Sequence, residues 1–344
     1  MAVVEALDIE PHHHVLDIAA APGGKSTHAA SRLGPDGFLL VNDVVSSRMG
    51  PLLANLDVWG YPNSAAASTT VPRLVDALPG AFDRVIVDAP CSGEALFRRD
   101  PASRSLWTPA QVRGAARRQG KLLAAAANAA APGALLAYTT CTFDPAENEE
   151  QVDRFLAEHS GWAQVRSERY YPHLCRCEGQ FVSVLRAPGA EGSGGAAARG
   201  PGRSRRAGAP PHPAWTAFAA ESLRKEVDPA RVLLRGKAFY LLPPDVDLPP
   251  AAALRPGLPL GLLVGTTFRP AHAFAMTLGL DDVVVSEPLD GDDLTAFRTA
   301  TAVRRPGPPG WILATMGRWP IGWGQRKGDE VVPRIPRYAR GPRR

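Results

Sequence analysis

Arg84-Val85-Ile86-Val87-Asp88-Ala89-Pro90-Cys91-Ser92-Gly93-Glu94 is the stretch on which the reading of this chain turns. Its first half is a β-branched apolar run closed by a carboxylate, and the Pro and Gly that follow mark it off as a strand. No polar residues alternate through the apolar core of that run, so both faces are covered, as in a parallel sheet flanked by helices. Polar groups at the carboxyl end of such a strand stand where open α/β sheets bind their ligands. A second apolar run, Ala134-Leu135-Leu136-Ala137-Tyr138-Thr139-Thr140-Cys141-Thr142, delivers a second thiol in the same way. Two strands therefore bring Cys91 and Cys141 to one sheet edge.

Working back from there, Val15-Leu16-Asp17-Ile18 reads as a first strand after a polar Pro11–His14 loop. Ala19-Ala20-Ala21-Pro22-Gly23-Gly24-Lys25-Ser26 is a small-residue turn, followed by a helical pattern through Leu33. Strand, small-residue turn and helix open a βαβ nucleotide-binding unit, in which small residues let the backbone approach a ligand. Neither GxxxxGK nor GxGxxG is present, so the shape alone points only to a nucleotide or S-adenosylmethionine. Phe38–Val41 is the second strand. It leads into Asn42-Asp43, where an acidic residue about 20 positions past the turn holds ribose hydroxyls or caps the next helix. Val44–Trp59 reads as helical, with Arg48 one turn beyond Asp43. Ser105–Ala131 is helix-like from Pro109 and ends at Pro132-Gly133. Asp144 and Pro145 cap a helix over Ala146–His159, whose Glu147, Glu149 and Glu150 favour its amino end. Asp17 reads as structural, the end of its strand.

Alternating strands and helices over residues 1–187 predict a doubly wound α/β domain with a mostly parallel sheet. Residues 188–213, rich in Gly, Ala, Pro, Ser and Arg, read as a flexible linker. Residues 214–344 carry short apolar pieces (232–234, 239–242, 260–264, 283–285, 311–314) separated by Pro and Gly, the pattern of a small β-rich module.

The 344 residues, 45% hydrophobic, suffice for more than one core. No run of eighteen apolar residues and no basic-then-apolar leader appears, which predicts a cytoplasmic protein without a membrane partner. Four cysteines are too few for a disulfide scaffold, so reduced thiols are expected. The spacing of Cys175 and Cys177, with His173 as the one nearby imidazole, does not suit structural zinc, and no metal is expected. Net charge is +5, and five arginines fall in the last eleven residues. Basic stretches of this kind suit a phosphate backbone. Only five of the 39 basic residues are Lys, so a composition bias explains part of the arginine content.

AAAPGGK (19–25), DAPCSGE (88–94) and YTTCT (138–142), followed by Pro145-Ala146-Glu147-Asn148-Glu149, resemble the signature of the Sun-type RNA cytosine carbon-5 methyltransferases. Asp88–Pro101, Pro172-His173 with Glu178–Phe181, Phe268–Ala273 and Trp319–Gly324 resemble its bacterial RsmF (YebU) branch. The resemblance implies a Rossmann-like methyltransferase domain followed by a PUA-like RNA-binding module, and formation of 5-methylcytosine in 16S ribosomal RNA, free or in the small subunit. It makes Cys141 the nucleophile that adds to cytosine C6, and Cys91 the group that helps release the adduct. Asp88 would face the base's ring nitrogen and amino edge, and Lys25 would stabilise the thiolate or orient the base. S-adenosylmethionine would lie along Ala19, Ala20, Ala21, Pro22, Gly23, Gly24 and Lys25, with Asp43, Arg48 and Asp88 beside it. Two departures stand out. Relatives carry an N-terminal module where Met1 here lies eighteen residues before Ala19, which predicts either a late start or a truncation. The acidic residue usual after the third strand is missing from Ala65–Thr70. The alternatives are a transfer-RNA methyltransferase and a non-catalytic RNA-binding or assembly protein.

Overall fold

The computed structural model describes residues 2–189 and 211–341, except 245, 247 and 249–253. The predicted linker thus lies almost wholly outside the described residues. The apolar runs of the N-terminal half become one seven-stranded sheet: β1 (His14–Asp17), β2 (Phe38–Asn42), β3 (Ser64–Ala67), β4 (Phe82–Asp88), β5 (Ala130–Thr140), β6 (Ala163–Tyr170) and β7 (Gln180–Arg186). Their order is β3-β2-β1-β4-β5-β7-β6. β1 pairs in parallel with β2 and with β4, and β4 with β5. β7 runs antiparallel to β5, and β6 antiparallel to β7. That reversed edge, which strand–helix alternation does not reveal, makes the sheet mixed.

The helices α1 (Ala2–Glu5), α2 (Gly24–Ala30), α3 (Met49–Trp59), α4 (Val71–Ala77), α5 (Ser103–Leu106), α6 (Pro109–Ala127) and α7 (Glu149–Glu158) fall between the strands or flank them. α6 begins where the sequence says it should: Pro109 follows Thr108, whose hydroxyl accepts from the Gln111 N–H. It stops earlier than predicted. Pro132 and Gly133 lie inside β5, where the register against β4 breaks between Phe82 and Arg84 and absorbs them as an irregularity. The predicted helix over 44–59 divides into a 3₁₀ turn at Ser46–Arg48 and α3, and Asp144 caps a 3₁₀ turn before α7 begins.

The described chain forms two compact units, one of 2–49, 66–189 and the described part of 245–254, the other of 50–65, 211–244 and 255–341. Residues 50–65, adjacent in sequence to the first unit, group with the second. The second unit carries α8 (Pro213–Ser222), α9 (His272–Ala275) and α10 (Gly291–Arg298). An antiparallel sheet of β8 (Val232–Arg235), β9 (Ala238–Leu241), β10 (Leu258–Val264) and β11 (Thr267–Pro270) has the order β11-β10-β9-β8. A second sheet, of β12 (Ser286–Pro288), β13 (Val303–Arg304), β14 (Gly310–Met316), β15 (Trp319–Lys327) and β16 (Glu330–Pro333), has the order β12-β14-β15-β16-β13. The predicted strand at 283–285 is corrected: Val283 makes only an isolated bridge to Leu223, and β12 starts at Ser286. Trp215, Phe218, Phe239, Phe268, Phe274 and Trp323 share one core cluster with Leu258, Leu260 and Leu313. Large rings in edge-to-face and tilted contact give this unit a dense apolar interior. No described helix is long and apolar enough to cross a membrane.

Candidate active site

β4 and β5 end side by side, with Asp88 opposite Thr139, and the ladder runs one bond further, from the Ala89 N–H to the Thr139 carbonyl. Because the two strands are parallel and in this register, the residues just past their ends share one edge. Cys91 and Cys141 meet there with their sulfurs 3.2 Å apart, both half-buried. The Lys25 ammonium, at the start of α2, lies 2.7 Å from the Asp88 carboxylate. The structure thus gathers the four residues named as catalytic from three separate stretches of sequence.

The thiols are not equivalent. Cys141 is held below its ordinary 9.0, first because it accepts a hydrogen bond from Cys91, against the opposing effect of burial. Cys91 is pushed well up by the same hydrogen bond and by its own burial. The pair thus disposes Cys141 toward the thiolate and Cys91 toward keeping the proton, with Lys25 favouring the anion and Asp88 opposing it.

Buried side chains that the motif reading left out of the catalytic set brace the two thiol loops. Glu147, fully buried, accepts from the Ser92 N–H at 3.0 Å and from Gln119 Nε2 at 2.6 Å. The Asn148 amide donates to the Thr142 carbonyl, and its oxygen accepts from the Thr140 hydroxyl. Ser92 and Thr142 hydroxyls meet directly at 2.8 Å. Reading Glu147 only as a charge at a helix amino end misses this contact. The signal was its position, six residues after Cys141 and next to an Asn, because a buried acid needs several donors nearby. Gln180 on β7 adds bonds to the Thr139 hydroxyl and the Thr140 carbonyl.

Beside the thiols, at the ends of β1 and β4, lies a cavity of ≈ 340 Å³ lined by Asp17, Ala19–Pro22, Gly24, Lys25 and Asp88. Val3 and Val4 of α1, with His28 and Gln180, complete the wall. Gly24 meets nothing within 4 Å of where a side chain would begin, so a bulkier residue would intrude on the cavity. Asp17 is the larger surprise. It is fully buried, its Oδ2 accepts from the Ser26 hydroxyl at 2.7 Å, and its Oδ1 has no partner. Burial pushes this carboxyl up to about 7. An orphaned carboxylate oxygen in a cavity wall calls for a cationic or N–H-bearing ligand, a role beyond the structural one its strand-end position suggests.

Asp43 and Arg48 are placed differently. Asp43 is buried, accepting from the Ala21 N–H at 3.3 Å and the Val45 N–H at 2.9 Å, and Arg48 lies 3.2 Å from it. Arg48 also donates to the Ala21 carbonyl. Both brace the Ala19–Gly23 loop and neither is among the residues lining the cavity. The loop after β3, which lacks the usual acid, is tied instead by Asn42, bonded to the N–H and carbonyl of Thr69. Among the described residues, the grouping that could hold a metal is Glu10, His12 and His13, at the opposite end of β1 from the thiols. His13 is buried there with Nδ1 accepting from the Glu10 N–H, so the polar Pro11–His14 loop is not solvated at that residue.

A mixed sheet with this order, a small-residue loop after its first strand and a paired-thiol edge define a Rossmann-like methyltransferase fold. Consistent with it, the crystal structure of the protein PH0851 superposes with a TM-score of 0.52 and 28% identity, over 54% of this chain and 44% of that one. A family described as 16S rRNA methyltransferase RsmB/F matches residues 4–190, and this chain belongs to that family. The RsmF rRNA methyltransferase first C-terminal domain matches residues 217–278. Ribosomal RNA small subunit methyltransferase F of Cronobacter sakazakii is 35% identical over 50% of this chain and 39% of its own length. The same-named protein of Salmonella heidelberg is 36% identical over 54% of this chain and 43% of its own length. The chain thus spans less than half the length of the curated relatives it matches.

Proposed function

We propose that this protein transfers a methyl group from S-adenosylmethionine to carbon 5 of a cytosine in 16S ribosomal RNA, through a covalent bond between Cys141 and cytosine C6. The observation that carries the reading is the Cys91–Cys141 pair, 3.2 Å apart, beside the Lys25–Asp88 pair at the edge of a lined cavity. Family membership over residues 4–190 and the names of the relatives support the reaction and the RNA. The paired thiols favour this reading over a non-catalytic RNA-binding protein, which has no use for a lowered thiol.

The residues present fit the cofactor: the orphaned Asp17 Oδ1 suits its amino group, and the uncrowded Gly24 and the Ala19–Pro22 backbone suit close approach. When bound, the cofactor supplies an electrophilic methyl. Asp17 then binds and orients, and Asp43 with Arg48 positions the loop. Cytosine C5 is a poor nucleophile until C6 is attacked. The Cys141 thiolate forms the C6–S bond, and the electron pair moves to N3, which takes the proton shared by the Lys25–Asp88 pair and returns it once C5 is methylated. C5 then takes the methyl. Forming the C–S bond removes the charge on Cys141 that kept Cys91 protonated, so Cys91 loses its own proton to solvent and, as the thiolate, accepts the C5 proton. Loss of that proton expels Cys141 and restores the ring. The target base must leave any helical stack to reach this edge, which is least costly in an RNA loop. The C-terminal unit, taken as residues 214–344 with a PUA-like role, would hold the RNA.

Incubating the protein with methyl-labelled cofactor and unmodified small-subunit RNA tests this. Label at cytosine C5 from the native protein and none from Cys141→Ala is expected; label at another atom or base would overturn the reading.

A further inference from the structure

Outside the active site, the second unit contains a larger cavity of ≈ 410 Å³ between α8, the β10–β11 turn and the β14–β15 hairpin. Its volume lies within the roughly 300–1,000 Å³ of small-molecule sites. Its wall is built rather than left over from imperfect packing. Trp311 and Gln325 face each other across the β14–β15 register. Arg334 follows β16 and donates through Nη2 to Gln325 Oε1 at 2.7 Å, while its Nε is buried without a partner. Arg269 on β11, the edge strand of its sheet, Thr267 and Glu221 of α8 line it as well. An aromatic ring, a fixed amide, an under-used guanidinium and an exposed Arg are the set that a nucleotide needs. The ring stacks on a base, polar edges meet its donors and acceptors, and the outer Arg meets phosphate.

We infer that this cavity takes one unstacked nucleotide of single-stranded RNA, with its base against Trp311 and its phosphate at Arg269. The inference deepens the proposed function, on whose RNA substrate it rests: a nucleotide held here anchors the substrate while another is modified at the thiols. Two arginines against one glutamate favour an anionic occupant. Glu221 favours a base with an exposed amino group over one without.

The test uses the full chain and a single-stranded RNA fragment of the substrate carrying 4-thiouridine. Photocross-links are mapped by peptide mass, and affinity is measured by fluorescence anisotropy over a range of salt. Cross-links on the Thr267–Arg269 and Trp311–Gln325 segments are expected. Arg269→Ala should weaken binding by about three- to tenfold and reduce the salt slope by about one, and Arg269→Lys should restore most of that slope. Trp311→Leu should weaken binding by about tenfold or more, with the salt slope unchanged. In turnover both raise KM and leave kcat unaltered. Cross-links confined to other surfaces, with native affinity in Arg269→Ala and Trp311→Leu, would overturn the inference, as would capture of a peptide in the cavity in place of RNA. Methyl transfer by the native protein with no cross-link in the cavity sinks this inference alone. Cross-links in the cavity without any transfer sink the reaction and keep the site.

Discussion

Cys91 and Cys141 differ by a proton, and that difference is measurable. Removing the donor in Cys91→Ala takes away the main cause that lowers Cys141. A rise of one pKa unit is about 1.4 kcal/mol, so alkylation of Cys141 by iodoacetamide at pH 7.5 should slow about tenfold. Mass spectrometry of the alkylated peptide reads this, and an unchanged rate would mean that the thiols do not share a proton. Asp17 gives a second test at this scale. Its folded pKa, about 7, lies above its ordinary 3.8, so its contribution to stability is complete below about pH 4 and is lost as pH rises to about 7. Asp17→Asn should therefore gain on the native, cofactor-free protein between pH 5 and pH 8, by on the order of 1–3 kcal/mol in denaturant melts. The same variant should lose at least about tenfold in cofactor affinity at pH 8, because the orphaned oxygen no longer carries charge. Both cysteines, Lys25 and Asp88 are legible in the sequence because each ends or begins an element whose pattern is clear. Asp17 is not, because only the folded packing around it leaves one of its oxygens without a partner.

At the level of elements, the parallel β4–β5 pair and the turn into α7 do most to shape the site. Glu147 holds the Cys91 loop through the Ser92 N–H, and its neighbour Asn148 holds the Cys141 loop through Thr140 and Thr142. Glu147→Ala would leave the Ser92 N–H unpaired and take from the buried Gln119 amide one of its two acceptors, the Pro90 carbonyl remaining, at a cost of about 1–3 kcal/mol, with activity falling further than stability explains. Thermal melts alongside single-turnover transfer rates check this; equal losses in both would reduce Glu147 to a purely structural part. Gly179 carries a φ of 129°, and a Cβ there would lie 2.5 Å from the Phe143 ring. Gly179→Ala should therefore destabilise the loop before β7 by more than about 1 kcal/mol, read as a lowered unfolding midpoint. Strand identities were legible because apolar runs are local. The antiparallel turn of β6 and β7 and the irregularity that absorbs Pro132-Gly133 were not, since both arise from pairing between distant strands.

For the whole molecule, two sets of features are separated in sequence: paired thiols and a cavity lined by the small-residue loop before residue 190, and a β-rich unit with an aromatic core and a polar cavity after 210. The change of pattern from strand–helix alternation to short Pro- and Gly-bounded strands was visible in the sequence. The grouping of residues 50–65 with the later unit was not, because it depends on contacts that no local pattern encodes. The central claim is that Cys141 bonds to the base and Cys91 lets it go. It is tested most directly by mixing Cys91→Ser with cofactor and unmodified small-subunit RNA, then resolving the mixture on a denaturing gel. A denaturation-resistant protein–RNA adduct is expected in Cys91→Ser and none in Cys141→Ser. An adduct trapped by Cys141→Ser instead would reverse the two roles, and transfer by Cys141→Ser at the native rate would contradict the covalent account altogether.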